Sequence, residues 1–194
     1  MSAEAVMPPL VAAAIARARQ AGFPMSCDPA VGRLLAVLAA HLPEDARVLE
    51  LGTGIGVGTA WIVSGLLPRT DVAVTSVEKD PGTAAAAAGG YWPPFVSLHC
   101  ADALAVLAEG GTFDLVFADA PGGKWDGLDR SIAALRPHGL LIVDDMTPQA
   151  EWTDRHRAAQ DTVRQALLSA PGLTSAELAI GSGVILSVRG RRRI

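Results

Sequence analysis

Residues 46–59 read ARVLELGTGIGVGT, and this stretch decides the fold. Val48 to Leu51 is a short apolar run interrupted by one acid, Glu50, which reads as a strand. Glycines follow at positions 52, 54, 56 and 58, and then a helical run begins at Thr59. Strand, glycine turn and helix together bring a nucleotide-like ligand against a helix N-terminus. Glycine permits backbone with φ > 0 and a close ligand approach, and the first free N–H groups of the helix face that ligand.

The spacing narrows the ligand. A dinucleotide fingerprint is G-x-G-x-x-G. Counted from Gly52 its third glycine falls on Val57, and counted from Gly54 it falls on Thr59. This argues against an NAD-dependent oxidoreductase. The acid and glycines Glu50-x-Gly52-x-Gly54-x-Gly56 resemble motif I of the class I S-adenosylmethionine (SAM) methyltransferases. SAM carries an ammonium group, which suits an acid at a strand end, and no pyrophosphate.

The rest of the chain extends this pattern. Apolar residues at helical spacing give a helix over 4–21, closed by Gly22, and a second that carries Val31, Leu34, Leu35, Leu38 and Leu42. Ser26 or Asp28 caps the second, with Pro29 in its first turn. These N-terminal helices, within residues 1–43, are expected to lie across the mouth of the site. From residue 46 onward strands and helices alternate, as in an open α/β sheet with mainly parallel strands. Further strands are expected over 72–77, 95–99, 113–118 and 140–143, with helices after Pro81 and over 101–107, 127–135 and 152–169. A closing hairpin (173–180 and 184–188) turns at Gly181-Ser182-Gly183. The expectation is one Rossmann-like domain over 1–194, with helices on both sheet faces.

Composition excludes several classes. Half of the 194 residues are hydrophobic, so disorder is excluded. A net charge of −4 gives no general attraction to nucleic acid or to an anionic membrane. No apolar run is long enough to span a bilayer, and Glu4 with no basic region before Pro8 is not a signal peptide. Cys27 and Cys100 form no C-x-x-C pair. The expected setting is cytoplasmic, with a small-molecule substrate and a homodimeric assembly. Only two of the sixteen basic residues are lysines, Lys79 and Lys124. Lysine can lose its proton and arginine cannot, so either an amine is wanted at these positions or the bias breaks by chance.

Ligands of such sheets bind beyond the carboxyl ends of the strands. Glu78, with Lys79 and Asp80, ends the second strand, where an acid accepts hydrogen bonds from ribose hydroxyls. After the third strand, Asp102 either accepts from an adenine amino group or caps the next helix, and both can hold. Asp119 ends the fourth strand, and Asp144 and Asp145 end the fifth. Three carboxylates that close repel one another. A hard divalent ion with oxygen ligands would compensate them; so would helix caps, or pairing with Arg130, Arg155 or Lys124. Trp125 and Trp152 follow these acids and either wall a flat substrate or serve the core.

Residues 24–188 resemble the cation-dependent O-methyltransferases, a family that includes catechol and caffeoyl-coenzyme A methyltransferases. The matching stretches are VLELGTGIG (48–56), VEKD (77–80), ADA (101–103), FDLVFAD (113–119) and GLLIVDD (139–145). The resemblance implies that Glu50, Gly52, Thr53, Gly54 and Gly56 hold the methionine part of SAM. Glu78 with Lys79 would hold the ribose, Asp102 with Ala103 the adenine. Asp119, Asp144 and Asp145 would fall on the ligands of Mg²⁺ or another divalent cation. Lys124, with Asp119, would serve catalysis as the base. Two departures stand out. Asp145 replaces the usual asparagine, and Lys124 stands five residues after Asp119 rather than three. The implied activity is methyl transfer to a hydroxyl of a small-molecule acceptor, aromatic acceptors among them. The rivals are a metal-independent methyltransferase acting on nitrogen or a protein, and a SAM-binding protein without catalysis.

Overall fold

A computed structural model of the chain describes residues 6–190. Its elements are α1 (Pro9–Gln20), α2 (Pro29–Ala40), β1 (Arg47–Leu51), α3 (Val57–Leu66), β2 (Ala73–Glu78), α4 (Pro81–Ala88), β3 (Val96–Cys100) and α5 (Ala103–Glu109). Then follow β4 (Phe113–Ala118), α6 (Pro121–Lys124), α7 (Leu128–Ala133), β5 (Leu135–Val143), α8 (Asp154–Ser169), β6 (Leu173–Leu178) and β7 (Val184–Arg189).

The seven strands form one sheet in the order β3-β2-β1-β4-β5-β7-β6. β1 to β5 are parallel, and β7 runs antiparallel to both β5 and β6. The chain leaves β1 toward β2 and β3, then returns to place β4 on the other side of β1. The crevice at such a switch point is where open α/β sheets bind ligands.

The sheet core follows from strand alternation, in which successive side chains face opposite sides. Val48, Leu115, Phe117 and Ile142 point to the face covered by α2 and α3. Leu49, Leu51, Val116, Leu141 and Val143 point to the other, where Val163 and Leu167 of α8 meet them. α1 lies outside, on α3, through Val11, Ala14 and Ala18 against Ala60 and Trp61. α2 and α3 approach closely because glycines stand at the crossing. A Cβ on Gly65 would lie 2.1 Å from the Ala36 carbonyl oxygen, and one on Gly32 2.2 Å from the Trp61 ring.

Helix starts obey local rules. Asp28, Asp80, Asp102 and Thr153 each accept a hydrogen bond from a backbone N–H of the first turn. The larger departures from the sequence expectation lie at α1, β5, α6 and α7. α1 starts at Pro9, since Pro8 stands at its N-cap and Pro9, which has no N–H to donate, suits its first position, and residues 1–5 lie outside the described part. β5 begins at Leu135 rather than 140, pairing with Phe113 before a register shift. His138 has φ of 67° there, and Arg-Pro-His-Gly hides the early strand residues behind turn chemistry. α7 correspondingly stops at Ala133. α6, a kinked turn with Gly122 and Gly123 outside helical geometry, was not anticipated.

Candidate active site

The glycine loop is tied to β2. The backbone N–H groups of Gly52 and Thr53 both donate to the Val77 carbonyl. Glu78 accepts from the Gly54 N–H and, with its other oxygen, from the Asp80 N–H, each at 2.9 Å. Gly54 has φ of 54°, and a Cβ there would lie 3.1 Å from the Phe23 ring. On the outer side, the Arg17 guanidinium donates to the Ile55 carbonyl at 3.1 Å and lies over the Trp92 ring.

Glu50 is fully buried beneath this loop. One carboxyl oxygen accepts from the hydroxyls of Thr59 and Ser76, and Ser76 also meets the Thr53 hydroxyl at 2.6 Å. The other oxygen, Oε1, has no partner. Burial raises the carboxyl to about 7, although the two hydroxyls oppose the rise. Gly58 must lack a side chain, because a Cβ would stand 2.4 Å from Oε1. Glu50 and Thr53 face a recess of about 20 Å³ that shares Phe23, Cys27, Gly52, Gly54 and Asp119 with a larger cleft.

That cleft has a volume of about 610 Å³. Its walls bring together the glycine loop, Glu78, Asp119, Asp144 and Asp145 with the linker between α1 and α2, residues 23–28. α1 and α2 themselves pack on α3, so among the described residues it is their connection that lines the mouth. Lys79 pairs with Asp102 at 3.0 Å, and Asp102 also caps α5 through the Leu104 N–H. Both Asp102 oxygens are therefore engaged, and Lys79, Asp102 and the buried Ala103 stand outside the wall of this cleft.

The three aspartates converge. An oxygen from each lies within 4.8 Å of the others. Asp144 Oδ1 accepts from the Ser182 hydroxyl and from the Asp145 N–H at 2.7 Å. Asp145, at φ of 59°, is held at its carbonyl by buried Gln160, whose amide donates at 2.6 Å. Lys124, also buried, places its Nζ 3.2 Å from Asp145 Oδ2 and 3.3 Å from the Asp144 carbonyl. The Asp119 carboxylate accepts no hydrogen bond among the described residues. Burial pushes it well above the ordinary carboxylate range; Lys124 pulls it down, and Asp144 and Asp145 push it further up. Burial likewise lifts Asp144 to about 6, against the Ser182 hydrogen bond.

Lys124 approaches the trio from behind. It lines a separate groove of about 560 Å³ with Trp125, Leu128 and α8 residues, not the cleft. Trp152 stacks on His156 at 4.3 Å and Trp125 meets the same ring edge-on at 4.9 Å. Both tryptophans thus gather at the start of α8 and leave the cleft wall to residues 23–28. The sequence reading missed Ser182, Gln160, Ser76 and Gly58. Gln160 had a signal, since it shares the buried stripe of α8 with Val163 and Leu167. Ser182 had one too, a polar residue between two glycines in a turn that follows a strand.

A family model described as a methyltransferase domain matches residues 49–146, from β1 through the trio. A protein of Mycolicibacterium smegmatis with an inferred O-methyltransferase name is 31% identical, over 93% of this chain and 90% of its own. The cofactor-bound structure of a protein from MTB is 28% identical, with a TM-score of 0.81 over 97% of this chain and 93% of that one. The O-methyltransferase from Bacillus cereus, solved with S-adenosylhomocysteine (SAH), shares the fold at a TM-score of 0.82 and 20% identity, covering 96% and 93% of the two chains. The chain belongs to the class I SAM-dependent O-methyltransferases.

Proposed function

We propose that this chain transfers the methyl group of SAM to a hydroxyl oxygen of a small molecule seated in the 610 Å³ cleft. The observation that carries the reading is that one cleft joins the glycine loop and Glu78 to the three aspartates. The recess, at about 20 Å³, has room for an ammonium group, and Glu50, whose buried Oε1 lacks a partner, lines it; the rest of SAM would lie in the larger cleft. Gly52 and Gly54 line the recess and the cleft and leave room there, whereas Gly56 lines neither and faces the Trp92 ring; Glu78 would hold the ribose hydroxyls. When bound, SAM supplies a methyl on a positively charged sulfur, which departs as the neutral thioether of SAH.

The chain's own groups handle the proton. As the acceptor oxygen forms its bond to carbon, the hydroxyl proton passes to Asp119. Asp119 lines the cleft and its carboxylate accepts no hydrogen bond among the described residues, which leaves an oxygen open to that proton. Lys124 was expected to be the base. Its amine instead sits behind Asp145 and outside the cleft wall, and we assign it the role of pairing with Asp145 and holding it in place. Positioning of the two reactants on rigid strand ends supplies much of the remaining acceleration.

The donor set also fits a hard divalent cation: three carboxylates, with oxygens within 4.8 Å and one of them without a hydrogen bond. Asp119, Asp144 and Asp145 would hold such an ion, and it would lower the pKa of the acceptor hydroxyl. The test is transfer of labelled methyl from SAM to a panel of hydroxyl and amine acceptors, with and without chelator. The reading expects label on oxygen, lost with chelator and restored by Mg²⁺. Label appearing only on nitrogen or on protein would contradict it.

A further inference from the structure

A buried ammonium stands behind a donor set that fits a cation. Lys124 is only 3% exposed, and its Nζ lies 3.2 Å from Asp145 Oδ2 and 3.3 Å from the Asp144 carbonyl oxygen. Its charge also reaches Asp119 and Asp144, where it opposes the upward push of burial. The turn that carries it is fixed. Gly123 has φ of 89°, a Cβ there would clash with the Leu51 side chain, and the Ser131 hydroxyl donates to the Gly123 carbonyl at 2.8 Å. An ammonium so placed repels a cation at the trio, and a buried one is costly unless paired. Affinity for an ion therefore does not account for it. Support of Asp145 does not account for it either. The Asp145 side chain is half exposed, so water can serve its charge, and Gln160 already holds its carbonyl.

Net charge does account for it. Metal ligands bind in deprotonated form, so with an ion in place Asp119, Asp144 and Asp145 carry three negative charges. That is one more than a divalent ion offsets. The ammonium of Lys124 removes the excess. Glu50 also bears on Asp119, but in the reading above its charge is met by the ammonium of SAM. We propose that Lys124 fixes the charge of the aspartate trio at two negatives and so sets it for a divalent rather than a trivalent ion. The inference rests on the cation assigned to the trio above, and it names the residue that determines which ion charge the site takes. Lys124 ligates nothing in this account; it acts through its field and through its pair with Asp145.

The test titrates Mn²⁺ and Tb³⁺ calorimetrically into the full chain loaded with SAH, which fills the recess alike in every protein. The unaltered chain is compared with Lys124→Met, Asp145→Asn and the double variant. Methionine keeps an unbranched apolar stem and Asp145 stays hydrated, so Lys124→Met is expected to fold. The ratio of Tb³⁺ to Mn²⁺ affinity should rise by about tenfold in Lys124→Met, because the unmasked negative charge attracts a trivalent ion more strongly than a divalent one. It should fall by about as much in Asp145→Asn, and return to within about threefold of the unaltered value in the double variant. Asp145→Asn should also melt below the double variant, since it leaves the buried ammonium without its partner. An unchanged ratio in Lys124→Met, whatever its melting point, overturns the inference and leaves Lys124 a packing residue. A ratio that stays displaced in the double variant overturns it too, since coordination rather than net charge would then decide. Failure of Mn²⁺ to bind the unaltered, SAH-loaded chain overturns the inference together with the cation, and leaves methyl transfer standing. Failure of SAH itself to bind overturns the methyl-transfer reading and the inference with it.

Discussion

Glu78 accepts a hydrogen bond from the backbone N–H of Gly54 at 2.9 Å, so the acid that ends β2 holds the loop that ends β1. The same carboxylate is the proposed ribose acceptor, so one side chain shapes the loop and grips the ligand. A hydrogen bond to a charged acceptor is worth about 1.5–3 kcal/mol. Glu78→Ala is therefore expected to weaken SAM and SAH by at least about tenfold in a calorimetric titration. An unchanged dissociation constant would assign Glu78 to the loop alone.

Glu50 gives the site a pH dependence with a definite sign. Its carboxyl rises from an ordinary 4.5 to about 7 on folding. The native state thus favours the protonated form, and stability falls as pH rises from 4.5 to about 7, by roughly 3 kcal/mol at most. An ammonium at Oε1 favours the ionised form, so SAM binding should release a proton below pH 7 and tighten as pH rises toward it. Glu50→Gln should flatten both dependences, weaken SAM, and melt no lower than the unaltered protein at pH 8. Equal pH slopes for SAM binding in the two proteins would remove Glu50 from the ligand's surroundings.

Ser182 reaches the trio from the β6–β7 turn and fixes one Asp144 oxygen, leaving the other for the reacting groups. The turn is itself anchored, since Met146 and Thr147 donate their N–H groups to the Gly183 and Ser182 carbonyls. Ser182→Ala should lower kcat by about tenfold, the worth of one hydrogen bond to a charged group, with SAM affinity unchanged. Ser182→Thr should restore most of the rate. Equal loss in both variants, or a parallel loss of SAM binding, would mean a merely structural role.

The close crossing of α2 and α3 makes a stability prediction. A Cβ on Gly65 meets backbone atoms of Ala36, 2.1 Å away at the nearest, and backbone cannot rotate aside. Gly65→Ala should cost about 1–3 kcal/mol despite its better helix propensity. Thermal melting should show a drop of roughly 5 °C. A melting point at or above that of the unaltered protein would mean that the helices separate freely.

Much of this architecture is local enough to read from sequence. The glycine loop, Glu78 and the aspartates stand at strand ends marked by apolar runs and turn residues, and the alternation that orders them is short-range. What escaped is what the fold assembles at a distance. Ser182 and Asp144 are 38 positions apart, and Gln160 meets Asp145 across 15, through an antiparallel hairpin and a helix whose placement no local pattern fixes. Pairing of these acids with Lys124 was among the alternatives read from the sequence, but Pro121-Gly122-Gly123 did not locate the kinked turn that brings the amine in from behind β5. The early part of β5 was hidden because proline and glycine there signal a break that the register shift accommodates.

The central claim is that the cleft at the β1–β4 switch point is a SAM site, and direct titration tests it. Calorimetry of SAH into the full chain should show one saturable site. The folded Gly54→Val variant should lose it, because a branched side chain at φ of 54° occupies the ligand's approach. Absence of SAH binding to the well-folded protein, or undiminished binding to a folded Gly54→Val, would contradict the account.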